Sequence, residues 1–102
     1  MQLQFDNQFE CYQAIGRLIA SAIEEPWDDA RVDAELDGIE VTLIKTYLPK
    51  GGSKRRDIPF IPMLGECFYR LARLVSTEDK GLFKKCTFTL HSDGKYDTDF
   101  VY

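Results

Sequence analysis

From Asn7 to Ile23 the apolar side chains Phe9, Tyr12, Ile15, Ile19, Ala22 and Ile23 recur at spacings that gather them on one side of an α-helix, while Gln8, Glu10, Gln13 and Arg17 fall on the other. Asp6 or Asn7 can cap its start, because a short side-chain acceptor satisfies an otherwise orphaned amide. Pro26 stops it, since proline disfavours the α conformation at Glu25 and offers no amide donor. The period then falls to two. In "ARVDAELD", Ala30, Val32, Ala34 and Leu36 point one way and Arg31, Asp33, Glu35 and Asp37 the other. After Asp37-Gly38, Ile39, Val41 and Leu43 alternate with Glu40 and Thr42, which predicts a hairpin closed by a two-residue primed turn.

The stretch "PKGGSKRRD", residues 49–57, combines proline, two glycines and basic side chains and predicts an exposed loop or wide hairpin tip, with a short strand near Arg56 to Ile58. Pro59 and Pro62 suit an extended entry and then the first turn of a second helix. That helix carries Leu64, Cys67, Phe68, Leu71, Leu74 and Val75 on one face and Glu66, Arg70 and Arg73 on the other, and should stop between Ser76 and Gly81. The end of the chain, "TFTLHSDGKYDTDFVY", predicts another hairpin, turned at Asp93-Gly94, with Cys86, Phe88 and Leu90 facing Tyr96, Thr98 and Phe100 on the inner side. The order helix, hairpin, helix, hairpin leaves connections too short for parallel crossovers. The expected architecture is therefore α+β: an antiparallel sheet of four or five strands with both helices on one face, in a single domain over residues 1–102.

Composition adds boundaries. At 44% apolar and 29% charged, the 102 residues have the make-up of one folded domain. No run approaches the roughly 18 apolar residues that a membrane-spanning helix needs, and "MQLQFDNQFE" lacks the basic start and apolar core of a signal peptide, so the expected location is cytoplasmic. Cys11, Cys67 and Cys86 are odd in number, widely spaced and set within apolar patterns, as reduced core thiols are.

Charge changes the picture more. Residues 1–48 hold ten acidic and three basic side chains, residues 49–90 four and nine, and residues 91–102 three and one. Asp33 and Glu35 share one strand face with Glu40 near them across the hairpin, while Asp28 and Asp29 crowd Trp27 at the exit of the first helix. Like charges this close repel and give the fold nothing, so they call for solvent or a cationic partner. Trp27 adds the residue type most enriched in binding hot spots.

Catalytic and metal chemistry find little footing. His91 is the single histidine, and three scattered cysteines without a Cys-x-x-Cys pair do not have zinc-ligand spacing. His91, Ser92 and Asp93 follow one another on a strand and turn, where neighbouring side chains diverge, so they form no hydrolase triad. Asp97 and Asp99 share a strand face expected to be solvated, where nothing raises a carboxyl pKa for acid catalysis. "GGSK" at Gly51 to Lys54 lacks the Gly-Lys-Ser/Thr ending of a phosphate loop. Lys50, Lys54, Arg55 and Arg56 could grip phosphate, which leaves a small nucleic-acid or anionic-ligand adaptor as the alternative reading. No cofactor, metal or catalytic residue is expected.

The ending "FTLHSDGKYDTDFVY" resembles the C-terminal hairpin of YezG-like immunity proteins, bacterial antitoxins whose chains finish with a strand, an Asp-Gly-Lys-aromatic turn and an Asp-Phe-x-Tyr strand. Here those are Phe88 to Leu90, then Asp93, Gly94, Lys95 and Tyr96, then Asp99, Phe100 and Tyr102. The front is similar too, with a helix carrying "IASAIEEPW" leading into "ARVDAEL". The resemblance implies a cytoplasmic antitoxin made beside a polymorphic toxin of the contact-dependent inhibition kind, often a nuclease, which it binds and blocks. The expectation is accordingly a non-enzymatic immunity protein that neutralises a cognate toxin domain by stoichiometric contact through an acidic surface, without membrane or direct nucleic-acid binding. Trp27, Asp28, Asp29, Asp33, Glu35 and Glu40 are the expected partner-binding residues, with Asp97, Asp99 and Tyr102 as a second patch.

Overall fold

The computed structural model describes residues 6–76 and 81–102. Among them the order is α1 (Gln8–Ala22), β1 (Trp27–Asp37), β2 (Glu40–Pro49), β3 (Arg56–Asp57), α2 (Leu64–Val75), β4 (Lys85–His91) and β5 (Tyr96–Val101). The strands form one sheet in the order β3-β2-β1-β4-β5, with every neighbouring pair antiparallel. This is the α+β architecture that the hydrophobic pattern predicts.

Helix α1 begins where a cap is available. Asn7 is extended and its side chain accepts the Glu10 amide at 3.1 Å, while the Glu10 carboxylate accepts the Asp6 amide at 2.9 Å, a reciprocal pair of the capping-box kind. Cys11, Tyr12, Ile15 and Ile19 form its buried stripe. Phe9, expected on that stripe, is 61% exposed; it lies in the first turn, in edge-on contact with the Tyr12 ring. In α2, Leu74 likewise sits at the exposed margin and Ala72 takes a buried place. Pro62 precedes the helix rather than opening it. Met63, at φ 72°, occupies the cap position between them.

Strand β1 lies at the centre. Its inward side chains are small or branched, Ala30, Val32 and Ala34, and are fully buried beneath the helices. Beside them on β4, Cys86, Phe88 and Leu90 continue the same face, opposite Ala34, Val32 and Ala30. Phe88 meets Phe68 of α2 edge to face, with ring centroids 6.4 Å apart, and stacks on Tyr96 of β5 at 5.5 Å. The three thiols are free and buried, and burial pushes Cys11 and Cys86 up to about 12 and Cys67 to about 11, so they are neutral core groups.

Both hairpins differ from expectation at their tips. Asp37 pairs with Glu40, so the central turn residues are Gly38 and Ile39 rather than Asp37 and Gly38. Only Gly38 takes positive φ there, at 63°, which is the type II′ placement. In the second hairpin the Gly94 amide donates to His91 O and the His91 amide to Lys95 O, which makes Ser92-Asp93-Gly94 a three-residue loop with a left-handed glycine at φ 92°. Asp93 holds this loop by accepting the Lys95 amide at 2.9 Å. In each case ladder register selects the turn, and the dipeptide only supplies a residue that tolerates it.

Candidate functional site

Strand alternation builds the site. The residues of β1 that do not face the helices are Asp29, Arg31, Asp33, Glu35 and Asp37, and the register carries their orientation across the sheet. One cross-strand row reads Ile44, Asp33, Thr87, Asp99; the next reads Thr46, Arg31, Thr89, Asp97; a third reads Thr42, Glu35, Lys85, Val101. Glu40 joins them opposite Asp37. No described helix or loop covers the middle of this face, and what it presents is mainly carboxylates and threonine hydroxyls, with the exposed Ile44 and Val101 and the basic Arg31 and Lys85 among them.

The register unites residues that the sequence left in two groups. Asp33 and Asp99 flank Thr87 on adjacent strands, and strand spacing puts them about 10 Å apart. That is close to the Debye length at physiological salt, so Asp33, Glu35, Glu40, Asp97 and Asp99 act as one negative field. Asp37 belongs to it as well. Its place in the "DAELD" alternation could have disclosed it, whereas the contribution of Thr87, Thr89 and Lys85 could not be seen before β4 was known to separate β1 from β5.

Two expected residues stand elsewhere. A register shift between Trp27 and Asp29 inserts Asp28 as a bulge, so Trp27 pairs with Pro49 and turns to the helix side, where it lines a groove of about 340 Å³ with Tyr12, Gly16, Ala20 and Leu90. Tyr102 follows Phe100 and Val101 in alternation and also lies on the helix side. Its hydroxyl donates to Val75 O at 3.4 Å and its ring packs on Phe100, so it does not share a face with Asp97 and Asp99.

The basic loop resolves the crowding at the corner. Arg55 reaches over the open side, where Nη1 lies 2.7 Å from Asp29 Oδ1 and Nε donates to Thr46 Oγ1 at 2.9 Å. Arg56 goes to the other side and meets Glu25 Oε2 at 2.7 Å, the same oxygen that accepts the Tyr47 hydroxyl at 2.7 Å. Hydrogen bonding to Glu25 is the main reason the Tyr47 phenol titrates above its ordinary range. Asp28 accepts the Gly51 amide at 3.2 Å. Three corner carboxylates are thus engaged by the chain's own loop, and both arginines that could have gripped phosphate are occupied.

Further along the strand the balance differs. Asp33 accepts the Thr87 hydroxyl at 2.8 Å and lies 3.3 Å from Arg31 Nε. Partial burial alone would raise its pKa, but the hydrogen bonds from Thr87 and Arg31 outweigh it and hold the carboxyl below its ordinary value, so the charge stays on. Asp97 lies 3.1 Å from His91 Nε2 with its side chain 81% exposed. Glu35 is exposed beside Lys85 in the register. The face therefore carries seven carboxylates, those of Asp29, Asp33, Glu35, Asp37, Glu40, Asp97 and Asp99, against Arg31, Arg55 and Lys85.

Nothing in the described residues groups three or more His, Cys, Asp or Glu side chains as metal ligands, and no helix is long and apolar enough to cross a membrane. No protein-family model and no curated protein matches the chain. The class that fold and face define is a two-layer α+β fold whose antiparallel sheet has one acidic face that no described helix or loop covers.

Proposed function

We propose that this is an immunity protein of the cytoplasm, one that binds a basic toxin domain, a nuclease above all, and blocks it by stoichiometric contact through the open sheet face. The observation that supports the reading is the surplus of carboxylates, Asp33, Glu35, Glu40, Asp97 and Asp99 among them, on a surface that nothing described covers. A nuclease site is basic because its substrate is a polyanion, and carboxylates held about 5 to 10 Å apart on a rigid sheet can stand in for phosphates. Preorganisation matters here, since strand side chains lose little further freedom when the partner docks. Complementary charge would lift association toward about 10⁸ M⁻¹s⁻¹ at low salt, and an interface of about 1,600 Å² is ample for tight inhibition.

The structure shifts the emphasis within the proposed surface. Asp28 and Asp29 are held by Gly51 and Arg55, and Trp27 faces the opposite side, which favours Asp33, Glu35, Glu40, Asp97 and Asp99 for recognition. The adaptor reading loses support because Arg55 and Arg56 already serve Asp29 and Glu25.

The test is whether a basic toxic domain is encoded beside this gene and whether this protein protects cells that express it, combined with stopped-flow association of the purified pair. Changing Asp33→Lys together with Glu35→Lys should slow association at least about tenfold and flatten its salt dependence, while the fold loses no more than the share that the Asp33 bonds to Thr87 and Arg31 contribute, on the order of 1 kcal/mol. Unaltered capture by that double variant would remove the face from the mechanism.

A further inference from the structure

Strand β5 closes one side of the sheet, and no described strand lies beyond it. The His91 amide donates to Lys95 O, and the alternation that follows sets the amides and carbonyls of Asp97 and Asp99 in the ladder with β4. Those of Tyr96, Thr98 and Phe100 therefore point outward. The opposite edge is blunted in the usual ways: β3 has two residues, Pro59 follows it closely and Pro49 ends β2. β5 runs six residues in unbroken register without proline, about 20 Å of backbone that no described strand pairs on its outer side.

We propose that this edge receives an extended segment of a protein partner as an added strand, with Lys or Arg at alternate positions meeting Asp97 and Asp99 and apolar side chains between them. The proposal rests on the binding reading above and specifies where the partner's backbone lands. Charge decides the occupant. If two copies paired antiparallel about Thr98, Asp97 of each would face Asp99 of the other on the same side, an arrangement that repels. A basic strand meets the same carboxylates with opposite sign. On its other side, Tyr96, 37% exposed, and Phe100 offer an apolar margin for the alternating residues, so the complement is an amphipathic strand with basic side chains on one face.

The probe is a cyclised hairpin peptide whose outer strand alternates Lys and Val, titrated into the isotope-labelled full chain. Expected are saturable shifts centred on the amides of Tyr96, Thr98 and Phe100, at least about tenfold slower hydrogen exchange at those amides, and affinity that falls with salt. Thr98→Pro removes an outward donor that no described residue uses and should abolish binding. Thr98→Val, which keeps the amide and changes only a side chain on the helix side, should bind as the parent does. Asp97→Lys with Asp99→Lys should weaken the Lys peptide at least about tenfold and let a Glu-for-Lys peptide bind instead. Shifts confined to β1 and β2, binding indifferent to Thr98→Pro in a folded variant, or a protein dimer that Thr98→Pro dissolves would each overturn the proposal. Absent peptide binding beside toxin capture that still depends on Asp33 and Glu35 sinks the edge alone. Peptide binding at β5 in a protein that protects against no toxin sinks the immunity reading alone.

Discussion

On the helix side of β1, Ala30, Val32 and Ala34 have no solvent exposure, whereas on the other side Arg31 and Glu35 are exposed and Asp33 half-buried, though the six residues alternate within one strand. The first set meets α2 and the aromatic cluster of β4; the second meets threonines and other charges. Stability is concentrated on one side of the strand, leaving the other free to carry like charges that contribute little to folding. A second contrast lies along the open side. At the Trp27 end, Arg55 crosses from the loop and neutralises Asp29; toward Asp37 no loop arginine pairs with Glu35 or Glu40 among the described residues. The distance an arginine side chain can span sets that limit.

The contrast between faces can be broken most directly at adjacent residues of β4. Phe88→Ala removes a fully buried ring in contact with Phe68, Tyr12 and Tyr96 and should cost about 3–5 kcal/mol in chemical denaturation, while Thr89→Ala, one residue on and facing outward, should stay within about 0.5 kcal/mol. Equal losses would mean that the outer face is structural. A smaller effect is expected for Thr87→Val, which deletes the hydroxyl that donates to Asp33: on the order of 1 kcal/mol at neutral pH. Because the folded pKa of Asp33 lies below its ordinary 3.8, the unfolded chain takes up that proton more readily, so the stability it contributes is present above that value and is lost as pH falls through the folded pKa. In Thr87→Val the acid limb of the stability curve should be shallower by that share, read from denaturation midpoints taken from neutral into acid. The smallest effect belongs to the corner. A double-mutant cycle on Arg55→Ala and Asp29→Ala should give a coupling of about 0.2–1 kcal/mol, since the side chains are 38% and 27% exposed, and added salt should shrink it.

Helix α1, the alternation of β1 and the inner triplets of the last hairpin are local patterns, and each is legible because period and burial coincide there. Asp33 and Glu35 could be placed outward for the same reason. Trp27 could not, because the Asp28 bulge reverses its side and no residue type in "PWDDA" signals an inserted position. Tyr102 shows another limit: parity from Phe100 was readable, yet its docking against the end of α2 depends on a contact across 27 residues. The hairpin tips fall between, with glycine marking the turn and the ladder choosing its length.

By itself the sequence determined the elements, their amphipathic sides and the surplus of acid early in the chain, since these follow from spacing and composition alone. Tertiary structure decided that β4 inserts between β1 and β5, which merges two acidic groups far apart in sequence into one field. It also decided which carboxylates the basic loop claims and which remain outward. The physical reason is that strand order and loop return are long-range pairings, fixed by how the inner faces pack against the helices, and the charged residues on the outer face are carried wherever that packing sends them.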